Sequence, residues 1–413
     1  MHMSWWNKPL RRARESGAVP ECDSRALARG WVSSRKRIGT FALGLLVLCT
    51  LPARAAPWKI PEPPVGAKSW YLVDYNSGQV LAEHNPDMRL PPASLTKLMI
   101  AYIVFKDLQD GRLNLDDEVP VSVKAWRMPG SRMFIRAGTK VKLTELIKGL
   151  LIESGNDAAI ALAEYVAGSE HNFVSLMNAQ AAALGMTNTH YADATGLPHA
   201  DHYSTARDLS IVARAIIHDF PQYYARWDSR KEFSYDGITQ LNRNTLLWRE
   251  PGVDGMKTGY THAAGYCLVA SGIRNGMRLV VTVLGTKSER ARATAGKTLL
   301  DFGFRNFETR LIYQAQKPAL RIPVLMGSED ILPAGTAHNL YLTLPRGSFD
   351  ELKARFSVPQ TEVAPIHRGQ TIGTLTLDLA NSPLEQSPLV ALASIEPGSL
   401  LQRARDRLTM WLH

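Results

Sequence analysis

The stretch Pro91-Pro92-Ala93-Ser94-Leu95-Thr96-Lys97 heads an apolar segment in which Leu98, Ala101, Phe105 and Leu108 recur at helical spacing. A serine and a lysine three residues apart share one face of a helix. That spacing brings an amine beside a hydroxyl and can turn a weak nucleophile into an acylating one. The dyad alone decides little, because Ser33-Ser34-Arg35-Lys36 repeats it. Its weight comes from two motifs downstream. Ser154-Gly155-Asn156 ends a predicted helix over 143–153, and Lys257-Thr258-Gly259 stands just ahead of a predicted strand beginning at Gly265.

The chain has 413 residues, 45% of them hydrophobic and 21% charged, which is the composition of a globular protein long enough for two or three domains. The formal charge of +10 is concentrated at the start. Residues 1–55 hold ten of the Lys and Arg residues and three of the Asp and Glu residues, leaving about +3 for the rest. The body therefore lacks the basic field that a nucleic-acid partner would need. Arg35-Lys36-Arg37, the apolar run from Ile38 to Leu51, and Ala53-Arg54-Ala55 read together as an export signal with its cleavage site. Residues 1–31 read as an overextension ahead of a start near Val32. Cys22 and Cys49 fall in the segment expected to leave, so Cys267 stays alone and is expected to pack as a small hydrophobe.

After a proline-rich lead-in over 57–66, strand-like runs at 70–73 and 79–82 flank the turn Asn76-Ser77-Gly78. Helices are predicted over 158–166, 173–184 and 205–217, then strands over 265–273 and 277–284 joined at Arg274-Asn275-Gly276, then a helix over 289–302. From about 308 to 397, short alternating runs at 319–325, 339–344, 362–364 and 371–378 predict a small all-β module. Over 398–413, Leu400, Leu401, Ala404, Leu408, Trp411 and Leu412 fall within about 120° of a helical wheel, with Arg403, Arg405 and Arg407 outside it. Such a helix is too short to span a bilayer and suits its interface; the alternative is packing against the β module. His199, Asp201 and His202 lack zinc-like ligand spacing and read as a solvated loop, so no metal is expected.

A Ser-x-x-Lys, a Ser-x-Asn and a Lys-Thr-Gly element in this order form the signature set of penicillin-binding proteins and serine β-lactamases. With Thr195-Gly196-Leu197, Tyr260-Thr261 and Gly303-Phe304-Arg305, the chain resembles the low-molecular-mass penicillin-binding proteins that act as serine-type D-Ala-D-Ala carboxypeptidases. The resemblance covers nearly all of the chain after the signal. It implies an α+β fold: a β-lactamase/transpeptidase-like domain over 66–307, with an antiparallel sheet flanked by helices and a helical lobe. A small β-sandwich-like domain over 308–397 and a C-terminal amphipathic helix would follow. Gly155, where class A lactamases carry Asp, favours the carboxypeptidase branch.

The implied chemistry needs no cofactor. Ser94 would be the acylating nucleophile, and its place at a helix N-terminus favours developing negative charge. Lys97 would be its base once neutral, and Lys257 nearby, together with burial, lowers the pKa in the needed direction. Which of the two lysines is neutral stays open at this point. Ser154 would relay a proton to the leaving amine, and Asn156 would bind the substrate backbone. Lys257, Thr258 and Gly259 would receive the terminal carboxylate, helped by Arg292 or its neighbour Arg290. The backbone amides of Ser94 and Tyr260 would form the oxyanion hole. The resemblance further implies peptidoglycan stem peptides as substrate, β-lactams as covalent inhibitors, and a location at the periplasmic face of the inner membrane.

Overall fold

The structure, a computed structural model, describes residues 60–412. The expected export signal over 1–55 lies outside the described residues, as do the side chains of Trp411 and Leu412.

The scaffold of the first region is a five-stranded antiparallel sheet. Its order is Val80–His84, Ser69–Asp74, Met277–Thr286, Gly265–Arg274 and Val253–Thr261. The strands alternate which face each side chain meets. Leu72, Leu268, Leu279, Val281 and Val283 pack against the helix Glu289–Asn306. Tyr71, Val73, Cys267, Val269 and Val280 pack against the helical lobe on the other face, which includes Lys97–Gln109, Asn156–Ala167, Glu170–Ala183 and Ala206–Asp219. Ser169, Thr205 and Ser288 cap three of these helices, each accepting from the backbone amide three residues on. Cys267 is fully buried, and burial pushes its thiol up to about 11.

Lys257-Thr258-Gly259 stands just ahead of the strand Gly265–Arg274, as expected, and itself lies inside a strand that was not expected, the edge strand Val253–Thr261. The strand escaped detection because the positions facing the lobe carry Lys257 and Gly259 where an ordinary strand would show apolar residues. The helix predicted over 143–153 is α-helical only over Leu143–Lys148, then widens into a π turn at Gly149–Glu153. Such turns recur at functional sites.

The second region contains a six-stranded sheet in the order Leu352–Ser357, Thr371–Leu379, Ser382–Ala391, Ile331–Thr336, Leu320–Leu325 and Glu362–Val363. A two-stranded sheet of Phe307–Tyr313 and Leu340–Pro345 faces it: Leu342 and Leu344 share a core with Leu375, Leu377, Leu379 and Leu389. Ser382–Ala391 was unforeseen because Pro383 and Pro388 break its pattern. It pairs with Ile331–Thr336 only from Leu389 onward, so both prolines sit where one edge needs no amide. The two regions meet through Thr309, whose hydroxyl donates to Asp74 Oδ2 at 2.7 Å, and through Arg346, which donates to Phe304 O at 2.7 Å. The last helix is Leu400–Leu412, tied to the β region by Asp406, which accepts from the Met326 amide at 2.7 Å.

Candidate active site

Ser94 sits in a 3₁₀ turn, Ala93–Thr96, that runs directly into the helix beginning at Lys97. Lys97 is fully buried. Its Nζ lies 3.1 Å from Ser94 Oγ, 2.7 Å from Asn156 Oδ1 and 2.8 Å from the Thr195 carbonyl. The last two partners can only accept, so they take two N–H bonds. In a neutral amine the remaining position is a lone pair, and it faces the Ser94 hydroxyl. Burial pulls the Lys97 pKa down to about 7; Asp193 and Asp157 oppose the shift and Arg243 adds to it.

Two backbone segments approach this turn so closely that only glycine fits. A Cβ on Gly259 would come within 3.2 Å of Ser94 N and 2.9 Å of Pro92 O. A Cβ on Gly196 would overlap the Ala93 carbonyl, and φ is +84° there. The edge strand therefore lies against the Ser94 turn, with the Ser94 and Tyr260 amides on facing segments. Lys257 shares the lobe-facing side of that strand with Gly259, its register partner being the buried Val269. Its Nζ donates to Thr258 O at 3.0 Å. Burial drives its pKa well below the ordinary value, with Lys97, Arg243 and Arg292 adding to the effect and Asp228 opposing it.

Ser154 leaves the π turn in the left-handed conformation, φ 67°. Its Oγ is buried and has no hydrogen-bond partner among the described residues. Two bonds hold this shape: the Gly155 amide donates to Gly149 O at 2.9 Å, and the Asn156 amide donates to Ser131 O at 2.7 Å. The structure gives Asn156 a role beyond the one expected of it. Its oxygen accepts from Lys97 and its Nδ2 donates to Pro129 O at 2.6 Å, so one amide N–H is left for a substrate. Asp157 accepts from the amides of Met133, Phe134, Ile135 and Ala158 at 2.8–3.3 Å. It thereby fixes the loop that carries Gly130 and Ser131 to the rim.

These elements enclose a cleft of about 410 Å³ lined by Ser94, Ser154, Asn156, Thr258, Gly259, Tyr260 and Arg292, among others. Lys97 and Lys257 lie buried behind its wall. Arg292 is buried at the cleft, whereas the exposed Arg290 lines cavities outside it, so the geometry separates the two arginines. Tyr260 is half exposed and packs on Tyr266, with ring centroids 4.3 Å apart.

Three residues at or near the site were not foreseen. Arg243 lines the cleft from a loop held by buried Asn242 and Asn244, which bond Arg230 O and Gly255 O at 2.9 Å each. The Asn-Arg-Asn run was its one sequence signal. Glu153 is buried with both carboxyl oxygens unpartnered among the described residues. Burial, then Asp157, pushes it up to about 8. His202 is not in a solvated loop as expected; it is buried, with Thr96 on one ring nitrogen and Asp193 on the other. Among the described residues no group of three or more His, Cys, Asp or Glu could hold a metal.

A serine in contact with a buried lysine, in a cleft between a helical lobe and the edge of an antiparallel sheet, defines the acyl-serine enzymes that share the three motifs. Residues 57–288 match the D-alanyl-D-alanine carboxypeptidase family, and the chain belongs to it. Residues 307–397 match the C-terminal domain of penicillin-binding protein 5. The chain is 41% identical over 376 residues to the D-alanyl-D-alanine carboxypeptidase DacC of Escherichia coli, an alignment that covers 89% of this chain and 94% of that one. It is similar to penicillin-binding protein 5 from Haemophilus influenzae, with TM-score 0.78, 37% identity, and coverage of 82% of this chain and all of that one. It is also similar to penicillin-binding protein D2 from Listeria monocytogenes in its ampicillin-bound form, with TM-score 0.55, 29% identity, and coverage of 59% of this chain and all of that one.

Proposed function

We propose that the chain removes the terminal D-Ala from peptidoglycan stem pentapeptides through an acyl-enzyme on Ser94. The observation that carries this reading is the Lys97 amine, held by two acceptors with its third position on Ser94 Oγ. Neutral Lys97 takes the Ser94 proton as Oγ bonds to the carbonyl carbon of the penultimate D-Ala. The resulting oxyanion is met by the Ser94 and Tyr260 amides. The C–N bond then breaks, and Ser154 passes the proton from Lys97 to the leaving amine. Thr258 and Arg292, on the cleft wall, receive the terminal carboxylate, with Lys257 buried just behind them. Water attacks the ester and gives a proton to Lys97, which returns it to Ser94 Oγ as the acyl bond breaks, regenerating the hydroxyl and the neutral amine. Penicillin carries the same carboxylate and acyl carbonyl and would acylate the same serine; the ampicillin-bound relative supports this. Incubation with a stem pentapeptide should release free D-Ala and leave a tetrapeptide. Cleavage of cross-links without D-Ala release would refute the reading.

We further propose that the enzyme is exported and rests on the periplasmic face of the inner membrane. The charged and apolar run before Ala55 supports export. No described helix is long and apolar enough to cross a membrane. In the helix Leu400–Leu412, Asp406 turns inward while Leu400, Leu401 and Leu408 are 81%, 85% and 66% exposed. A helix pinned by its polar side with leucines outward fits a lipid interface. Replacing these three leucines by serine should abolish sedimentation with anionic vesicles. Unchanged sedimentation would refute the proposal.

A further inference from the structure

Beside Lys97 lies a relay of side chains that the reaction itself does not use, with Thr96, Thr195 and His202 buried and Asp193 partly exposed. Asp193 Oδ1 accepts from the Thr195 amide at 2.6 Å, the Thr195 hydroxyl at 2.7 Å and the Gly196 amide at 2.7 Å. Its other oxygen lies 3.1 Å from His202 Nδ1, and His202 Nε2 lies 2.8 Å from Thr96 Oγ1. Thr96 belongs to the turn that carries Ser94, and Thr195 presents to Lys97 the carbonyl that holds it. The Ala192 amide also reaches Nδ1, at the longer distance of 3.3 Å; in the tautomer whose Nδ1–H is donated to Asp193, Nε2 is free to accept from the Thr96 hydroxyl. The chain of bonds thus joins the nucleophile's turn to the lysine's acceptor, closing a ring around the dyad through residues far apart in sequence.

We infer that Asp193 and His202 are positioning residues for the Ser94–Lys97 dyad, locking the Thr195 carbonyl onto the lysine and the Ser94 turn against the 193–196 loop. The inference rests on the reading of Lys97 as base. Asp193 has a second, electrostatic effect. Burial works to raise its pKa, but hydrogen bonds from His202 and Thr195 hold it below the usual carboxylate range. It is therefore an anion facing Lys97, joined by Asp157 and countered by Arg243 and Lys257 from the other elements around the amine. Each anion favours the ammonium form, so removing one lowers the pH at which Lys97 becomes a base. The position of His202 accounts for its burial, which its polar surroundings in sequence had hidden.

The test is the acylation rate by a fluorescent penicillin, followed from pH 5.5 to 9 on the full chain. Ser94→Ala, Asp193→Asn, His202→Ala and His202→Gln are compared with the parent. Asp193→Asn keeps an oxygen for the three bonds of the turn while losing the charge, so its acid limb should move to lower pH. His202→Ala breaks the link to Thr96 and should lower the plateau about tenfold or more. His202→Gln can still bridge donor and acceptor and should recover the plateau to within about threefold. An Asp193→Asn profile superimposed on the parent, together with an undiminished His202→Ala plateau, would overturn the inference. If His202→Ala fails to fold, the Asp193→Asn profile alone decides it. Labelling absent from the parent, or kept by Ser94→Ala, would instead overturn the reading of the dyad.

Discussion

The two regions of the chain bury different things. Between 308 and 397 the buried side chains are apolar, apart from Thr336, Thr343 and Thr376 among the described residues. Around the cleft the interior holds Lys97, Glu153, Asp157, His202, Lys257 and Arg292. Burying an ion costs several kcal/mol unless its partners compensate, and well-packed hydrophobes of the same volume often serve stability as well or better. A region that had only to fold would not carry two neighbouring buried lysines. The contrast separates a body built for stability from one whose interior charge is arranged to hold a lysine near neutrality beside a serine.

The most severe way to break the contrast is at Lys97. Lys97→Met keeps the volume and removes the base, and should lower acylation by penicillin about 10³-fold with little loss of stability. Asp157→Ala comes next. It strands four amides, three of them buried, and should destabilise the chain by about 4 kcal/mol in urea unfolding, with the 129–135 loop losing protection from hydrogen exchange. Leu375→Ala in the β region should cost about 3 kcal/mol of local stability while penicillin acylation stays within about twofold, because nothing titratable is lost from the cleft. The mildest effect is on pH dependence. Lys97 acts as a base only when neutral, so acylation should fall about tenfold per pH unit below about 7 and level off above it. A flat profile down to pH 5.5 would show that the amine is not the base.

Much of this site was legible because its chemistry restricts residue type. A serine, two lysines and a small run of glycine, threonine and asparagine have few substitutes in acyl transfer, and their order survives in the sequence. What escaped is what the fold brings together. Arg243 reaches the cleft through a loop held by asparagines, and His202 reaches Thr96 across 106 positions. The edge strand Val253–Thr261 lacked its apolar alternation because one face is given to Lys257 and Gly259. Ser382–Ala391 hid behind two prolines tolerated at an open edge. In each case local pattern was overruled by a contact distant in sequence. Arg290 and Arg292 could not be told apart in the sequence for the same reason, since two residues on one helix face different cavities.

Every step of the proposed chemistry depends on Ser94 being the residue that the buried Lys97 activates. Intact-protein mass spectrometry after incubation with a penicillin, followed by peptide mapping, tests it most directly. One covalent adduct on the peptide containing Ser94, absent from Ser94→Ala, is the predicted result. An adduct on any other residue, or none in the parent, would contradict it.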